Sequence, residues 1–171
     1  TEPDMHDPSG DLDRLTAALT HDWQLPHLEA ELTVLKTLQK ALRKGEWKVT
    51  VALHKGHRDT QYRVLDIWPG YYEGRIYGLA IDLGSTTIAA HLTDLRNGTV
   101  KASAGVMNPQ IRFGEDLMSR VSYSMMNPGG DQEMTAAVRT AINGLTESLA
   151  TEGEIDPAQI VEAVFVCNPV M

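Results

Sequence analysis

The fold of the larger part of this chain is decided by the stretch GLAIDLGSTT at residues 78–87. Its apolar first half has the composition of a buried strand, and Asp82 lies near the end of that strand. Gly84 permits a tight turn, and the residues from Thr87 onward return to the composition of a strand. The stretch therefore predicts two neighbouring strands joined by a turn of small residues.

The same turn is the candidate binding site. A carboxylate such as Asp82 near the end of a buried strand is costly unless it is paired or faces a cation. Successive backbone N–H groups from Gly84 to Thr87, with the hydroxyls of Ser85 and Thr86, can surround an anion. A neighbouring carboxylate suits Mg²⁺ bound through water beside phosphate oxygens. The alternative is an ordinary hairpin in which Asp82 makes local hydrogen bonds, but the apolar strands on both sides favour a phosphate site.

Three strands are predicted around this turn. They are expected at Tyr77–Leu83, Thr87–Leu95 and Thr99–Met107. The dipeptide Asn97-Gly98 predicts a tight hairpin between the second strand and the third.

Helices and one last strand follow. Apolar residues at helical spacing predict a short helix around Leu117–Met125 and a longer one over Met134–Leu149, with Asp131 as its N-cap. The β-branched segment Val161–Cys167 has the composition of a central strand. The methionines on the helical patterns (Met118, Met125, Met126 and Met134) are expected to fill gaps in the core, and Cys167 is expected to be a buried structural thiol.

The first 74 residues have a different character. Residues 1–22 carry six acidic residues and one arginine, and they read as an acidic linker with a short helix capped by Asp11. Leucines spaced by three and four from Leu28 to Leu42 predict an amphipathic helix. Alternation over 47–53 and a return strand at 62–68 predict a hairpin, whose loop holds His54 and His57 as solvated residues rather than metal ligands. The predicted domains are therefore 1–22, 23–74 (a helix plus hairpin) and 75–171.

Composition excludes several classes of function. The 171 residues hold 15 Lys and Arg against 23 Asp and Glu, a net charge of −8, which argues against nucleic acid or an anionic membrane as the partner. No apolar stretch approaches the roughly 20 residues of a membrane helix, and the acidic start does not resemble a signal peptide, so a cytoplasmic protein is expected. One cysteine excludes an internal disulfide and any site built from several thiolates.

Residues 80–94 resemble the first phosphate motif of the actin, sugar-kinase and heat-shock-chaperone ATPase superfamily. Residues 77–87 are similar, more narrowly, to that motif in the reductive activators of corrinoid-dependent enzymes. Three further stretches resemble the same family: WKVTV at 47–51, NPQ at 108–110 followed by FGED at 113–116 and SR at 119–120, and VCNPVM at 166–171, where the family strand ends in Gly-Asn-Thr-x-Met.

The resemblance implies a mixed α/β fold and an ATP-dependent activity. It implies a small middle domain of helix plus antiparallel strands, followed by a partial ribonuclease-H-like ATPase lobe with three antiparallel strands, helices and one parallel strand. Members of the family carry an N-terminal [2Fe–2S] ferredoxin domain and use ATP to return an oxidised Co(II) corrinoid to Co(I). The implied partner is a corrinoid protein or a corrinoid-dependent methyltransferase, and the implied cofactors are ATP and magnesium.

The resemblance also implies roles for individual residues. Asp82 would be the catalytic carboxylate that coordinates magnesium through water, and Gly84, Ser85, Thr86 and Thr87 would wrap the β- and γ-phosphates. Four more residues lie in the matching family segment without a separate role: Asn108, Gln110, Glu115 and Asp116. The alternative for Glu115 and Asp116 is that they are helix N-terminal charges favoured by the helix dipole.

Two other functions stay open beside the activator. The unit Trp47–Trp68 could be a module that docks on a corrinoid protein or a ferredoxin domain, or the chain could belong to a different kinase or chaperone-like ATPase. The family's ferredoxin domain, second phosphate loop and adenosine motif have no counterpart here, so the chain is expected to be part of a longer protein with little ATPase activity alone. An uncovered edge at Val161–Cys167 predicts a dimer or a strand exchange.

Overall fold

A computed structural model describes residues 2–56 and 60–170 of the chain. His57, part of the hairpin loop, and Met171, the last residue of the VCNPVM stretch, lie outside the described residues. The chain divides into two compact units, with the boundary in the sequence between Gly74 and Arg75. Both units combine helices with a small sheet, which confirms the predicted mixed α/β fold class.

The first unit consists of two helices and a three-stranded sheet. Its elements are α1 (Asp11–Trp23), β1 (Leu28–Ala30), α2 (Leu32–Lys44), β2 (Val49–His54) and β3 (Tyr62–Pro69). The strand order is β1-β3-β2, and β3 runs antiparallel to β2 but parallel to β1. The helices cover one face of this sheet, and the core is formed by Leu15, Leu19, Val34, Leu38, Ala41, Leu42, Val64 and Ile67.

The leucine repeat predicts only part of the secondary structure of the first unit correctly. Residues 28–30 form a strand rather than the first turn of α2, because they pair with β3, and the N–H of Glu31 donates to the Val64 carbonyl. The buried face of α2 is therefore rotated: Leu32 and Leu35 are 64% and 43% exposed, whereas Val34 is buried. A repeat of leucines does not show which side of a helix the neighbouring strand covers.

The acidic N-terminal stretch is folded against α1. Arg14 is buried, and its guanidinium forms an ion pair with Asp7 at 2.8 Å and donates to the Ser9 carbonyl at 3.2 Å. Gly10 is the N-cap of α1, whereas Asp11, which was predicted to be the cap, is the first helical residue and forms an ion pair with Arg43.

The second unit is a four-stranded sheet covered on one face by a long helix. Its strands are β4 (Tyr77–Leu83), β5 (Thr87–Asp94), β6 (Val100–Met107) and β7 (Ile160–Cys167), and its helices are α3 (Leu117–Met126) and α4 (Gly130–Glu152), with 3₁₀ segments at Pro109–Phe113 and Pro157–Gln159. The order is β6-β5-β4-β7, with β7 parallel to β4 and the other pairs antiparallel. The core lies between the sheet and α4 and includes Ile81, Ile88, Leu92, Leu145 and Leu149.

Two connections in this unit differ from the prediction. Asn97 and Gly98 lie within a five-residue connection between β5 and β6, rather than forming a two-residue hairpin. The left-handed backbone of Gly129 (φ 86°) makes it the N-cap of α4, so Asp131 lies in the first helical turn instead. Acidic residues in a first turn are stabilised by the helix dipole, which explains why the sequence pattern resembles a cap.

The predicted burial of three of the four helical methionines and of Cys167 is wrong, whereas Met134 on α4 is partly buried. Met118, Met125 and Met126 are 71%, 82% and 80% exposed, and Arg120 is the one buried residue on α3. Cys167 is exposed at the end of β7, an edge strand whose last five residues are all exposed. The pairing of this edge with a second chain stays a prediction, and static light scattering at high protein concentration tests it: a monomer would contradict it.

No helix among the described residues is both long and apolar enough to cross a membrane. The longest helix, α4, has 23 residues, but its outer face is polar.

The carboxylate of Asp94 ties the end of β5 to the start of the unit. It is 1% exposed, accepts the Arg96 N–H at 2.9 Å and pairs with the Arg75 guanidinium at 2.8 Å. The hydrogen bond from the Arg96 N–H, followed by Arg75, holds the pKa of Asp94 below its ordinary value. A carboxyl with a lowered folded-state pKa stabilises the fold fully above its unfolded pKa of about 3.9, and this contribution is lost as the pH falls through the folded pKa.

We therefore expect the free energy of unfolding of the second unit to decrease as the pH is lowered below about 4. We expect this decrease to be less steep in an Asp94→Asn variant. Urea denaturation between about pH 3 and 7, followed by the amide NMR signals of this unit, measures the difference. Parallel pH curves for the two proteins would contradict this role of Asp94.

Candidate functional site

The turn between β4 and β5 requires a glycine at position 84. The Gly84 N–H donates to the Thr87 carbonyl at 3.0 Å, which closes the turn. A Cβ atom at this position would lie 2.7 Å from the Thr87 carbonyl oxygen, closer than real Cβ contacts come. The close approach of the two strand ends therefore depends on the missing side chain.

The carbonyl groups of Gly84, Ser85 and Thr86 accept hydrogen bonds from two buried residues, so these carbonyls face the protein body. The Asn108 side-chain amide donates to the Gly84 carbonyl at 2.8 Å, and the Asn108 backbone N–H donates to the Thr86 carbonyl at 2.7 Å. The Arg120 Nη2 donates to the Ser85 carbonyl at 2.6 Å.

The N–H groups of the turn consequently point the other way. In a planar trans peptide the C=O of one residue and the N–H of the next point in opposite directions. Because the Gly84 and Ser85 carbonyls face the protein body, the N–H groups of Ser85 and Thr86 face outward, and they donate to no carbonyl or side chain among the described residues. Ser85 is half-buried, and Thr86 is exposed. The turn thus presents two backbone donors on the side away from the protein body.

Asp82 precedes the turn by two residues and lies on the face of the sheet opposite α4. Its neighbour Ile81 is buried under α4, and since side chains alternate along a strand, the Asp82 carboxylate is on the opposite, exposed face. Within residues 2–56 and 60–170 it forms no ion pair, and no group of three His, Cys, Asp or Glu side chains could hold a metal ion. Mg²⁺ needs no such group, because it is commonly bound through one or two carboxylates, waters and substrate phosphates.

Asn108 and Gln110 lie behind the turn rather than in front of it. Asn108 is fully buried, and its side-chain oxygen also caps the 3₁₀ segment by accepting the Gln110 N–H at 2.9 Å. The Gln110 side chain donates to the Met134 carbonyl at 3.4 Å, which connects the segment to α4. The structure therefore gives Asn108 a supporting function that the sequence did not reveal.

Asp116 is the N-cap of α3. Its carboxylate accepts the Ser119 N–H at 2.7 Å, and this hydrogen bond lowers the pKa of Asp116. Glu115 is exposed beside it. The capping contact favours the interpretation of Asp116 as a helix N-terminal charge over a role in ligand binding.

Arg120 is a residue of the site that sequence reasoning missed. It is 4% exposed, and its Nε donates to the Gly114 carbonyl at 2.9 Å in addition to the contact with Ser85. Two signals were present in the sequence: Ser119 and Arg120 lie in the segment that resembles the family, and position 120 follows Leu117 by three, which places a charged side chain on the apolar face of a predicted helix.

The carboxyl end of β7 lies at the same edge of the sheet. β7 runs parallel to β4, and Cys167 is in register with Leu83, so the segment that follows Cys167 begins beside the turn. The single exposed thiol at this position cannot hold an iron–sulfur cluster, which needs four ligands.

Comparison with known proteins identifies the family. The family model described as "RACo middle region" matches residues 77–171, and the model described as "RACo linker region" matches residues 1–74. The linker-region model therefore matches the whole first unit, including residues 23–74, which we expected to be the middle domain. The middle-region model matches the second unit.

Two proteins with related sequences carry informative names. The chain is 27% identical over 110 residues to "Corrinoid activation enzyme RamQ" from Eubacterium limosum, a match that covers 64% of this chain and 18% of that protein. The solved structure of a "Reductive activator for corrinoid,iron-sulfur protein" is 35% identical and covers all of this chain with a TM-score of 0.80, whereas the chain spans 27% of that protein.

These matches confirm the resemblance to the reductive activators. They extend over both units, although the chain spans about a quarter or less of the length of the two relatives. Because the middle-region model alone covers more than half of the sequence, the chain belongs to the RACo family, of which it contains the linker and middle regions.

Proposed function

We propose that the Gly84–Thr87 turn binds the phosphates of Mg²⁺–ATP, and that the chain acts within an ATP-dependent activator that returns a Co(II) corrinoid to Co(I). One observation supports this proposal: the Gly84 and Ser85 carbonyls accept hydrogen bonds from buried residues, so the N–H groups of Ser85 and Thr86 face outward, and the exposed Asp82 lies three residues before Ser85. Outward N–H groups next to a carboxylate are what a phosphate with its divalent cation requires.

The residues of the turn would act by positioning and electrostatics. The N–H groups of Ser85 and Thr86 would donate to phosphate oxygens, and Asp82 would hold magnesium through a bound water. Bound Mg²⁺–ATP supplies a phosphoanhydride whose binding and hydrolysis provide free energy for an uphill electron transfer. No protein nucleophile is needed in such a site.

The proposed electron source lies outside this sequence. The family resemblance implies a [2Fe–2S] ferredoxin domain, but the four thiolate ligands of the cluster cannot come from a chain with one cysteine. The proposed partner is a corrinoid protein in the cytoplasm, in keeping with the names of the two relatives. Membership of this family also favours the activator over an unrelated kinase or chaperone-like ATPase.

Replacing Asp82 with asparagine is expected to lower the rate of ATP-dependent corrinoid reduction about tenfold, because a neutral amide binds hydrated magnesium more weakly. The assay uses the whole activator polypeptide of which this chain is proposed to be a part, together with a Co(II) corrinoid protein and reduced ferredoxin. It follows the formation of Co(I) by visible absorption. The melting temperature is expected to stay unchanged, since Asp82 forms no ion pair with the described residues.

The matched control is Glu147→Gln, which neutralises an exposed carboxylate on α4 in the same unit. This variant is expected to keep the wild-type rate. Equal loss of rate in both variants would indicate a general effect of charge, and an unchanged rate in Asp82→Asn would contradict the proposed magnesium site.

A further inference from the structure

We infer that Arg120 is the positioning residue of the phosphate turn, and that its guanidinium orients and strengthens the Thr86 N–H as a phosphate donor. This inference rests on the proposed function of the turn. It concerns a residue on α3, 35 positions along the chain from Ser85, that would never touch the phosphate itself.

The contacts of Arg120 connect two segments to one buried cation. Its Nη2 donates to the Ser85 carbonyl at 2.6 Å, and its Nε donates to the Gly114 carbonyl at 2.9 Å. Gly114 allows α3 to approach this closely, because a Cβ at that position would lie 2.8 Å from the Arg120 backbone nitrogen. A planar guanidinium can satisfy two carbonyls in fixed directions, which the single ammonium of lysine cannot do in the same geometry.

The Ser85 carbonyl and the Thr86 N–H belong to the same peptide group. A hydrogen bond that fixes the direction of the Ser85 carbonyl therefore also fixes the direction of the Thr86 N–H, which points the opposite way from the same peptide plane. A charged donor on the carbonyl also polarises the peptide, which makes its N–H a stronger donor to an anion. The positive charge of Arg120 is buried and therefore weakly screened, so it adds to the attraction of the turn for phosphate.

An NMR titration of the chain with Mg²⁺ and inorganic tripolyphosphate tests the inference. In the wild-type chain the amide signals of Ser85 and Thr86 are expected to shift. In Arg120→Lys, which keeps the charge but not the planar fork, the affinity is expected to fall about tenfold. Arg139→Lys changes an exposed arginine on α4 and is expected to leave the affinity unchanged.

Chemical rescue separates positioning from stability. Arg120 lines a cavity of about 280 Å³ between α3 and α4, which gives a small cation a route to its place. In Arg120→Ala, added guanidinium chloride at low millimolar concentration is expected to restore the tripolyphosphate-induced shift of Thr86, while sodium chloride at equal ionic strength is not. Where the alanine variant is poorly folded in its NMR spectrum, Arg120→Gln takes its place, and its affinity is expected to fall as in Arg120→Lys.

The outcomes distinguish this inference from the function on which it rests. A wild-type affinity in folded Arg120→Lys or Arg120→Gln, even with a lower melting temperature, would show a purely structural role and overturn the inference while leaving the phosphate site intact. An absence of any response of Ser85 and Thr86 in the wild-type chain would overturn the phosphate site, and the inference with it.

Discussion

Replacing Gly84 with alanine is expected to weaken the binding of Mg²⁺–ATP to the turn by about 100-fold, which is the cost of displacing binding groups by roughly 1 Å. The added Cβ would lie 2.7 Å from the Thr87 carbonyl oxygen, a backbone atom that cannot move without opening the β4–β5 turn. Opening the turn breaks the Gly84–Thr87 hydrogen bond and changes the direction of the Ser85 N–H. Titration of the chain with Mg²⁺–ATP, followed by its amide NMR signals, measures the change.

Gly144→Ala provides the matched control, because a Cβ at position 144 on α4 meets no atom within 4 Å. This variant is expected to bind nucleotide as the wild-type chain does, and to be slightly more stable because alanine favours a helix. Unchanged nucleotide affinity in Gly84→Ala would show that the ligand does not depend on the geometry of the turn.

Replacing Asn108 with alanine is expected to lower the free energy of unfolding of the second unit by about 2–4 kcal/mol. The side chain is fully buried and serves two segments, since it donates to the Gly84 carbonyl and accepts the Gln110 N–H. Its removal takes this partner from the Gly84 carbonyl, which is half-buried, and from the Gln110 N–H, which is buried, and an unsatisfied buried group costs about 1–3 kcal/mol. Urea denaturation followed by the amide NMR signals of the second unit gives the difference.

Asn143→Ala removes an exposed asparagine on α4 and is expected to change the stability by less than about 0.5 kcal/mol. A loss below about 1 kcal/mol in Asn108→Ala would mean that water or a shifted backbone satisfies the two groups. In that case the turn would not depend on Asn108 for the direction of its peptide groups.

The turn itself could be predicted because its chemistry is local. Gly84, the small residues after it and the apolar strands on either side lie within about twenty consecutive residues, and their backbone preferences follow from residue type. The same reasoning predicted the antiparallel order of β4, β5 and β6, which is confirmed, although the connection between β5 and β6 is longer than the predicted tight hairpin.

The supports of the turn could not be predicted in this way. Asn108 and Arg120 reach the turn across 24 and 35 residues of chain, and contacts at such separations depend on how α3 and the 3₁₀ segment pack. The resemblance placed Asn108 in a family segment but gave it no role. Burial was also mispredicted where it depends on neighbours, as for Met125 on α3 and for Cys167 on the edge strand.

The first unit shows the same limit. The repeat of leucines from Leu28 predicts a helix correctly over most of its length, because helical spacing is a local property. It fails at Leu28–Ala30, where pairing with β3 produces a parallel strand. The exposed Leu32 follows from that change, since the helix starts later and turns a different face to the core.

The most direct test of the phosphate site locates the divalent ion. Mn²⁺ in place of Mg²⁺, added with ATP to the isotope-labelled chain, broadens the amide signals of the residues nearest to the ion. The site described here predicts that the signals of Asp82, Ser85 and Thr86 disappear first, and that Asp82→Asn removes this effect. Broadening centred on other residues, or broadening at the turn that persists in Asp82→Asn, would contradict it.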